Sequence, residues 1–131
     1  MPEGRARTVL AFDFGLKRIG VAVGEPELGT AHALPPIAAP GFDSISKLIS
    51  EWRPAELVIG LPVGANGEHP LAKRVERFAR QLEGRFHLPV ARVDERFSSV
   101  EAESRVRGVK RASIDSVAAQ LLLEQYFDHA A

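Results

Sequence analysis

The sequence predicts an α/β protein built on a mixed five-stranded sheet with helices on both faces. Two observations carry that expectation. Two short apolar runs joined by a glycine-led turn open the chain as a hairpin. After a further strand, helical and strand periodicities alternate, the order that parallel pairing through crossover helices requires.

Residues 8–14, with Val9, Leu10 and Phe12 bounded by Asp13 and Gly15, read as a buried strand. In residues 18–24, Ile19, Val21 and Val23 alternate at strand period, and Gly15-Leu16-Lys17 supplies the tight connection. Residues 30–39 supply a third strand. Pro35 and Pro36 confine it to an edge or end it early, because proline cannot donate to a ladder. Asp43 is placed to cap a helix whose inward face is Ile45, Leu48, Ile49 and Trp52, and Pro54 stops it. Residues 56–61 follow as a strand, and residues 62–70 as a turn-rich loop with Asn66-Gly67 at its tip. Residues 71–82 read as a helix with Leu71, Val75, Phe78, Ala79 and Leu82 inward and Gly84 as its stop. A fifth strand spans residues 89–93. Ser98 and Glu101 have capping-box spacing for a helix ending at Gly108. A last helix, from near Ser113 to about Asp128, would bury Val117, Leu121, Leu122 and Tyr126.

With 131 residues, the chain is expected to form one domain over residues 1–131. It has no cysteine, which excludes a disulfide framework, thiolate-bound zinc, iron–sulfur clusters and a thiol nucleophile. The first twenty residues carry Glu3, Asp13 and several arginines and do not form a secretory signal. No apolar stretch approaches the ~18 residues of a membrane span. A cytoplasmic location without membrane association is the expectation.

Asp13 closes the first strand, Asp94-Glu95 closes the fifth, and Asp115 opens the last helix. Open α/β sheets place their chemistry beyond the carboxyl ends of parallel strands. Gly15 and Gly20 would let a ligand or a nucleic-acid backbone approach Asp13 closely. Each acidic residue also has an ordinary structural role, in a turn, a surface ion pair or a helix start. Their shared placement at element ends singles them out. Clustered carboxylates repel unless a cation neutralises them, and hard ions such as Mg²⁺ or Mn²⁺ prefer oxygen ligands. The four histidines form no ligand set, although His69 lies in the glycine-rich loop.

The 17 basic and 17 acidic residues balance overall, but not locally. Residues 73–111 hold eleven basic and six acidic side chains, a local excess that a polyanion would feel. Candidate phosphate contacts are Lys73, Arg74, Arg77, Arg96, Arg105, Arg107, Lys110 and Arg111, with Lys17 and Arg18 beside Asp13. The plain alternative for any one of them is a solvated helix face.

The run from Ala11 to Gly24 (AFDFGLKRIGVAVG) resembles the opening of the YqgF family, whose members carry the labels pre-16S rRNA nuclease and Holliday junction resolvase. Val58-Ile59-Gly60-Leu61-Pro62 followed by Asn66-Gly67 resembles its central strand and loop. Asp94-Glu95-Arg96-Phe97-Ser98-Ser99-Val100-Glu101-Ala102 resembles its D-E-R-x-[ST]-[ST]-x-E-A motif, and Ile114-Asp115-Ser116-Val117-Ala118-Ala119 its closing helix. The resemblance implies a ribonuclease H-like fold, catalytic and metal-binding roles for Asp13, Glu95 and Asp115, and Mg²⁺ or Mn²⁺ as cofactor. It implies a metal-dependent nuclease acting in maturation of the small-subunit ribosomal RNA precursor, with branched DNA as a further substrate. Two departures stand out. Residues 105–113 look shorter than the basic loop of many relatives, and Gly60 occupies a strand end where related resolvases carry an acidic residue.

Two other classes share part of the signal. Asp-x-Gly before a hairpin also opens the actin-like and sugar-kinase ATPases, but these need a second domain. A non-catalytic RNA-binding module of ribosome assembly would use the basic segment alone and tolerate loss of the carboxylates. Symmetric cleavage of a four-way junction would further require a homodimer.

Overall fold

The computed structural model describes residues 7–61, 71–94 and 114–130, and in the last helix the side chains of residues 116–128. The predicted helix at residues 98–108, the loop at residues 62–70 and the shortened stretch at residues 105–113 lie outside the described residues. Strands β1 (Val9–Asp13), β2 (Arg18–Glu25) and β3 (Thr30–Ala38) come first. Helix α1 (Phe42–Trp52), β4 (Glu56–Leu61), helix α2 (Ala72–Phe86), β5 (Val90–Asp94) and helix α3 (Ile114–Ala130) follow. The sheet order is β3-β2-β1-β4-β5, antiparallel from β3 to β1 and parallel from β1 to β5.

Strand alternation gives the sheet two buried faces. Leu10, Phe12, Ile19, Val21, Leu57 and Ile59 pack with Ile45 of α1 and Val75, Phe78, Ala79 and Leu82 of α2. Val9, Ala11, Ala22, Ala31 and Val58 face Ala119, Leu122, Leu123 and Phe127 of α3. Both layers of helix are thus fixed by the same five strands.

The proline pair behaves as a bulge at an edge. β3 is an outer strand, and its register against β2 slips by one residue between the Ile19↔Ile37 and Val21↔Leu34 pairs, around Pro35-Pro36. The strand bends there but continues to Ala38. Its far end is fastened to the hairpin tip, where Ala39 N–H donates to the Lys17 carbonyl at 2.9 Å.

Helix boundaries differ from expectation for backbone reasons. Asp43 does not cap α1. The cap is Gly41 in the left-handed region (φ 64°), where a Cβ would press on the Ala38 carbonyl oxygen at 2.8 Å, and Asp43 lies in the first turn. Trp52, expected inward, is 37% exposed, and only Ile45 of that face is fully buried. Gly84 does not stop α2. The helix runs through it to Phe86 and ends at His87, left-handed at φ 56°.

Helix α3 buries only part of the face expected: Leu121 and Leu122 are buried as expected, Val117 and Tyr126 are only half-buried, and Ala118, Ala119, Leu123 and Phe127 complete the buried set. Apolar residues surround this helix almost evenly, so its periodicity does not select a face. Tyr126 instead reaches sideways, its hydroxyl donating to Glu56 Oε2 at 2.7 Å. Burial, with that carboxylate beside it, pushes the phenol up to about 12. No helix among the described residues is long and apolar enough to cross a membrane.

Candidate functional site

Asp13 is the last residue of β1, half-buried, and pairs with Gly20 across the hairpin. It alternates with Phe12, so it shares the face of Val9 and Ala11, the face covered by α3. Gly20 beside it carries no side chain. The β1–β4 and β4–β5 registers place Gly60 next in the same row and Val93 beyond it. A space without side chains therefore flanks Asp13 on both neighbouring strands.

The direction of α3 brings its first turn to this edge. The Val21 N–H, at the register slip, donates to the buried Ser116 hydroxyl at 3.3 Å. At the other end, Tyr126 meets Glu56, the first residue of β4, and Phe127 lies under Gly24. The helix thus runs from the carboxyl to the amino edge of the parallel strands. Asp115, one residue before Ser116, has its backbone in the first turn of α3, close to the Asp13–Gly20 pair. Ser116 was given no role in the sequence beyond its place in the Ile114–Ala119 run, yet it anchors that turn. Its spacing to Ala119, Leu123 and Phe127, one helix face, was the available signal.

β5 ends at Asp94, exposed and paired in register with Leu61. Glu95, Arg96, Arg105, Arg107, Lys110, Arg111 and His69 lie outside the described residues, as does the side chain of Asp115. Glu95 follows Asp94 directly in the sequence. β1 and β5 are two strand spacings apart, ~10 Å. Among the described residues no three acidic or histidine side chains gather as a metal-ligand set. The described donors at this edge, Asp13 and Asp94, are oxygen donors. His87 ends α2 at the amino edge and His32 pairs with Val23 on β3. An oxygen-only donor set suits a hard divalent ion.

The basic residues divide by role. Lys17 and Arg18 are exposed at the hairpin tip, beside Asp13 in the same turn. α2 ends just before β5 begins, so it starts at the carboxyl edge. Phe78 within it packs on Phe14, the residue after Asp13, with ring centroids 5.1 Å apart. Lys73, Arg74 and Arg77 precede Phe78 and are all exposed, on the side of the sheet opposite α3. Arg92 belongs to none of this surface. Its Nη1 donates to Glu83 Oε2 at 2.7 Å, and its Nη2 and Nε grip Glu76 at 2.8 and 3.2 Å, which clamps β5 to α2. Arg92 also holds the Glu83 carboxyl below the usual carboxylate range. Both acidic residues of α2 are thereby engaged, and the outer face of the helix is left basic. Arg85 lies over the Phe42 ring at 4.0 Å.

A family model described as "RuvX: Holliday junction resolvase" matches residues 7–129. Proteins named "Putative pre-16S rRNA nuclease" from Nitrosomonas europaea and Methylobacillus flagellatus are 48% and 52% identical to this chain. The first alignment covers 100% of this chain and 97% of the relative, the second 98% and 97%. Among solved structures, Thermus thermophilus RuvC superposes with a TM-score of 0.57 at 14% identity, covering 94% of this chain and 95% of that one. A fowlpox virus resolvase, solved with Holliday junction DNA, gives 0.58 at 11% identity over 94% and 98%. The fold is therefore the ribonuclease H-like fold of RuvC-type resolvases, and the chain belongs to the RuvX, or YqgF, family.

Proposed function

We propose that this chain is a divalent-metal-dependent nuclease that cleaves phosphodiester bonds in structured RNA, the ribosomal RNA precursor named by its relatives. The observation that carries the reading is the meeting of the Asp13–Gly20 pair with the first turn of α3, through the Val21–Ser116 hydrogen bond. Asp13, Glu95 and Asp115 would hold Mg²⁺ or Mn²⁺, which when bound supplies an activated water and stabilises a leaving oxygen. The protein's part is placement. The two glycines beside Asp13 let a phosphodiester backbone reach the carboxylates without meeting a side chain. Glu95, which follows β5 in the sequence, would have to supply the carboxylate that Gly60 does not provide on β4. Arg92 keeps β5 in position through α2.

The exposed Lys17 and Arg18 on one flank, and Lys73, Arg74 and Arg77 on the other, contact phosphates and orient the substrate across the carboxyl edge. Arg96, Arg105, Arg107, Lys110 and Arg111 extend that contact. Phosphate contacts give affinity without reading sequence. Replacing Lys73 and Arg77 together by alanine should weaken binding to all sequences alike and flatten the salt dependence by roughly one unit of slope per lost contact. Binding isotherms at several salt concentrations measure this, and an unchanged slope would make these residues a merely solvated face.

The purified protein should be compared, with Mg²⁺ and with Mn²⁺, on a structured ribosomal RNA precursor and on a synthetic four-way DNA junction. Cleavage of the RNA in preference to the junction is expected. Cleavage confined to the junction would move the substrate to branched DNA, and binding without cleavage of either would favour a non-catalytic assembly factor.

A further inference from the structure

At the outer flank of the sheet, on the face opposite Asp13, a cavity of about 360 Å³ opens between the edge strand β3 and helix α1. Leu34, Pro35 and Pro36 line it from the strand, and Leu48 and Trp52 from the helix. Trp52 is the only tryptophan in the chain and is 37% exposed. A half-exposed aromatic against prolines and a leucine is the composition that interface cores favour. Pro35 and Pro36 also remove two backbone donors from this edge, so an added strand would pair poorly there. Whatever docks must do so through side chains.

The charges at the cavity narrow the choice of occupant. Lys47 and Glu51 also line it, one turn apart on α1 and both exposed. Lysine placed amino-terminal to glutamate is the weaker order for pairing within a helix. Among the described residues neither is in an ion pair. A partner of one charge sign would satisfy one of them and repel the other. A second copy related by a two-fold axis satisfies both, because Lys47 meets the partner copy's Glu51 and Glu51 its Lys47. The patch is complementary to itself, as an isologous interface must be.

We propose that this face is a two-fold interface between two copies of the chain, with Trp52 of each copy seated against Pro35, Pro36 and Leu48 of the other. The proposal is independent of the nuclease reading. Sedimentation of the full-length chain over the micromolar to millimolar range tests it. The wild type should show a concentration-dependent dimer. Lys47→Glu, and separately Glu51→Lys, sets like charges opposite one another twice per dimer and should weaken association by roughly tenfold or more. Mixing the two variants should restore it, since an all-acidic rim then meets an all-basic one, and the double exchange Lys47→Glu/Glu51→Lys should dimerise like the wild type. Both positions are exposed, so the monomer should melt normally in every variant. A wild type that stays monomeric throughout would overturn the proposal and leave the face to another partner. A dimer indifferent to both reversals, or a mixture that fails to re-associate, would overturn it equally.

Discussion

Replacing Asp13 by asparagine should lower the single-turnover cleavage rate by about 10²-fold or more, with the fold intact. The side chain keeps its size and its hydrogen-bonding ability but loses one negative charge and one strong oxygen ligand. Its backbone pairing with Gly20 does not depend on that charge. The melting temperature should therefore change little, which separates a chemical loss from a structural one. Affinity for nucleic acid, measured with Ca²⁺ or without metal, should hold or rise, because repulsion between carboxylate and phosphate falls. Asp43→Asn removes the same charge from an exposed position on α1 and should leave the rate unchanged. Cleavage by Asp13→Asn at the wild-type rate would reject a metal-holding role for Asp13.

The largest loss of stability should come from the neighbouring residue. Phe12 is fully buried and points into the layer of α1 and α2, opposite to Asp13. Phe12→Ala removes a ring from a packed core and leaves a cavity, at a cost of about 3–5 kcal/mol. Small domains are stable by only about 5–15 kcal/mol, so the variant should melt roughly 10–20 °C below the wild type or fail to fold. Thermal melts followed by circular dichroism measure this. A loss below about 1 kcal/mol would mean that the β1 side chains do not alternate between the two faces as described.

Most of the scaffold was legible because it is punctuated. β4 runs from Glu56 to Leu61, as its apolar run between Pro54 and Pro62 predicts, and the opening hairpin follows from two runs of period two around a glycine turn. The edge position of β3 follows from its two prolines. The inward face of α3 was only half read, with Leu121 and Leu122 placed correctly, because apolar side chains occupy every side of it; packing against β1 to β4 is what selects Ala119, Leu123 and Phe127 over Val117 and Tyr126. The cap of α1 was placed on Asp43 because an Asp side chain often caps, whereas Gly41 caps by its backbone conformation.

At the site, Asp13 was legible from its place at a strand end beside glycine. Its proximity to the start of α3 was expected from their shared placement at element ends, but the contact that secures it was not, because Ser116 and Val21 are 95 residues apart in sequence. Arg92 is one of the eleven basic residues counted over residues 73–111, and its pairing was hidden for the same reason. Its partners Glu76 and Glu83 lie 16 and 9 residues away on another element, and only the fold brings them together. The charge pattern of a segment therefore counts side chains that the structure has already paired.

Calorimetric titration of Mn²⁺ into the wild type and into Asp13→Asn tests the central claim, a metal-holding carboxylate edge, most directly. The wild type should bind Mn²⁺ below the millimolar range and gain melting temperature with metal concentration, since a ligand that binds only the folded state stabilises it by mass action. Asp13→Asn should bind at least about tenfold more weakly, one strong oxygen ligand being gone. No uptake of Mn²⁺ by the wild type at millimolar concentration, or equal uptake by both proteins, would contradict the account.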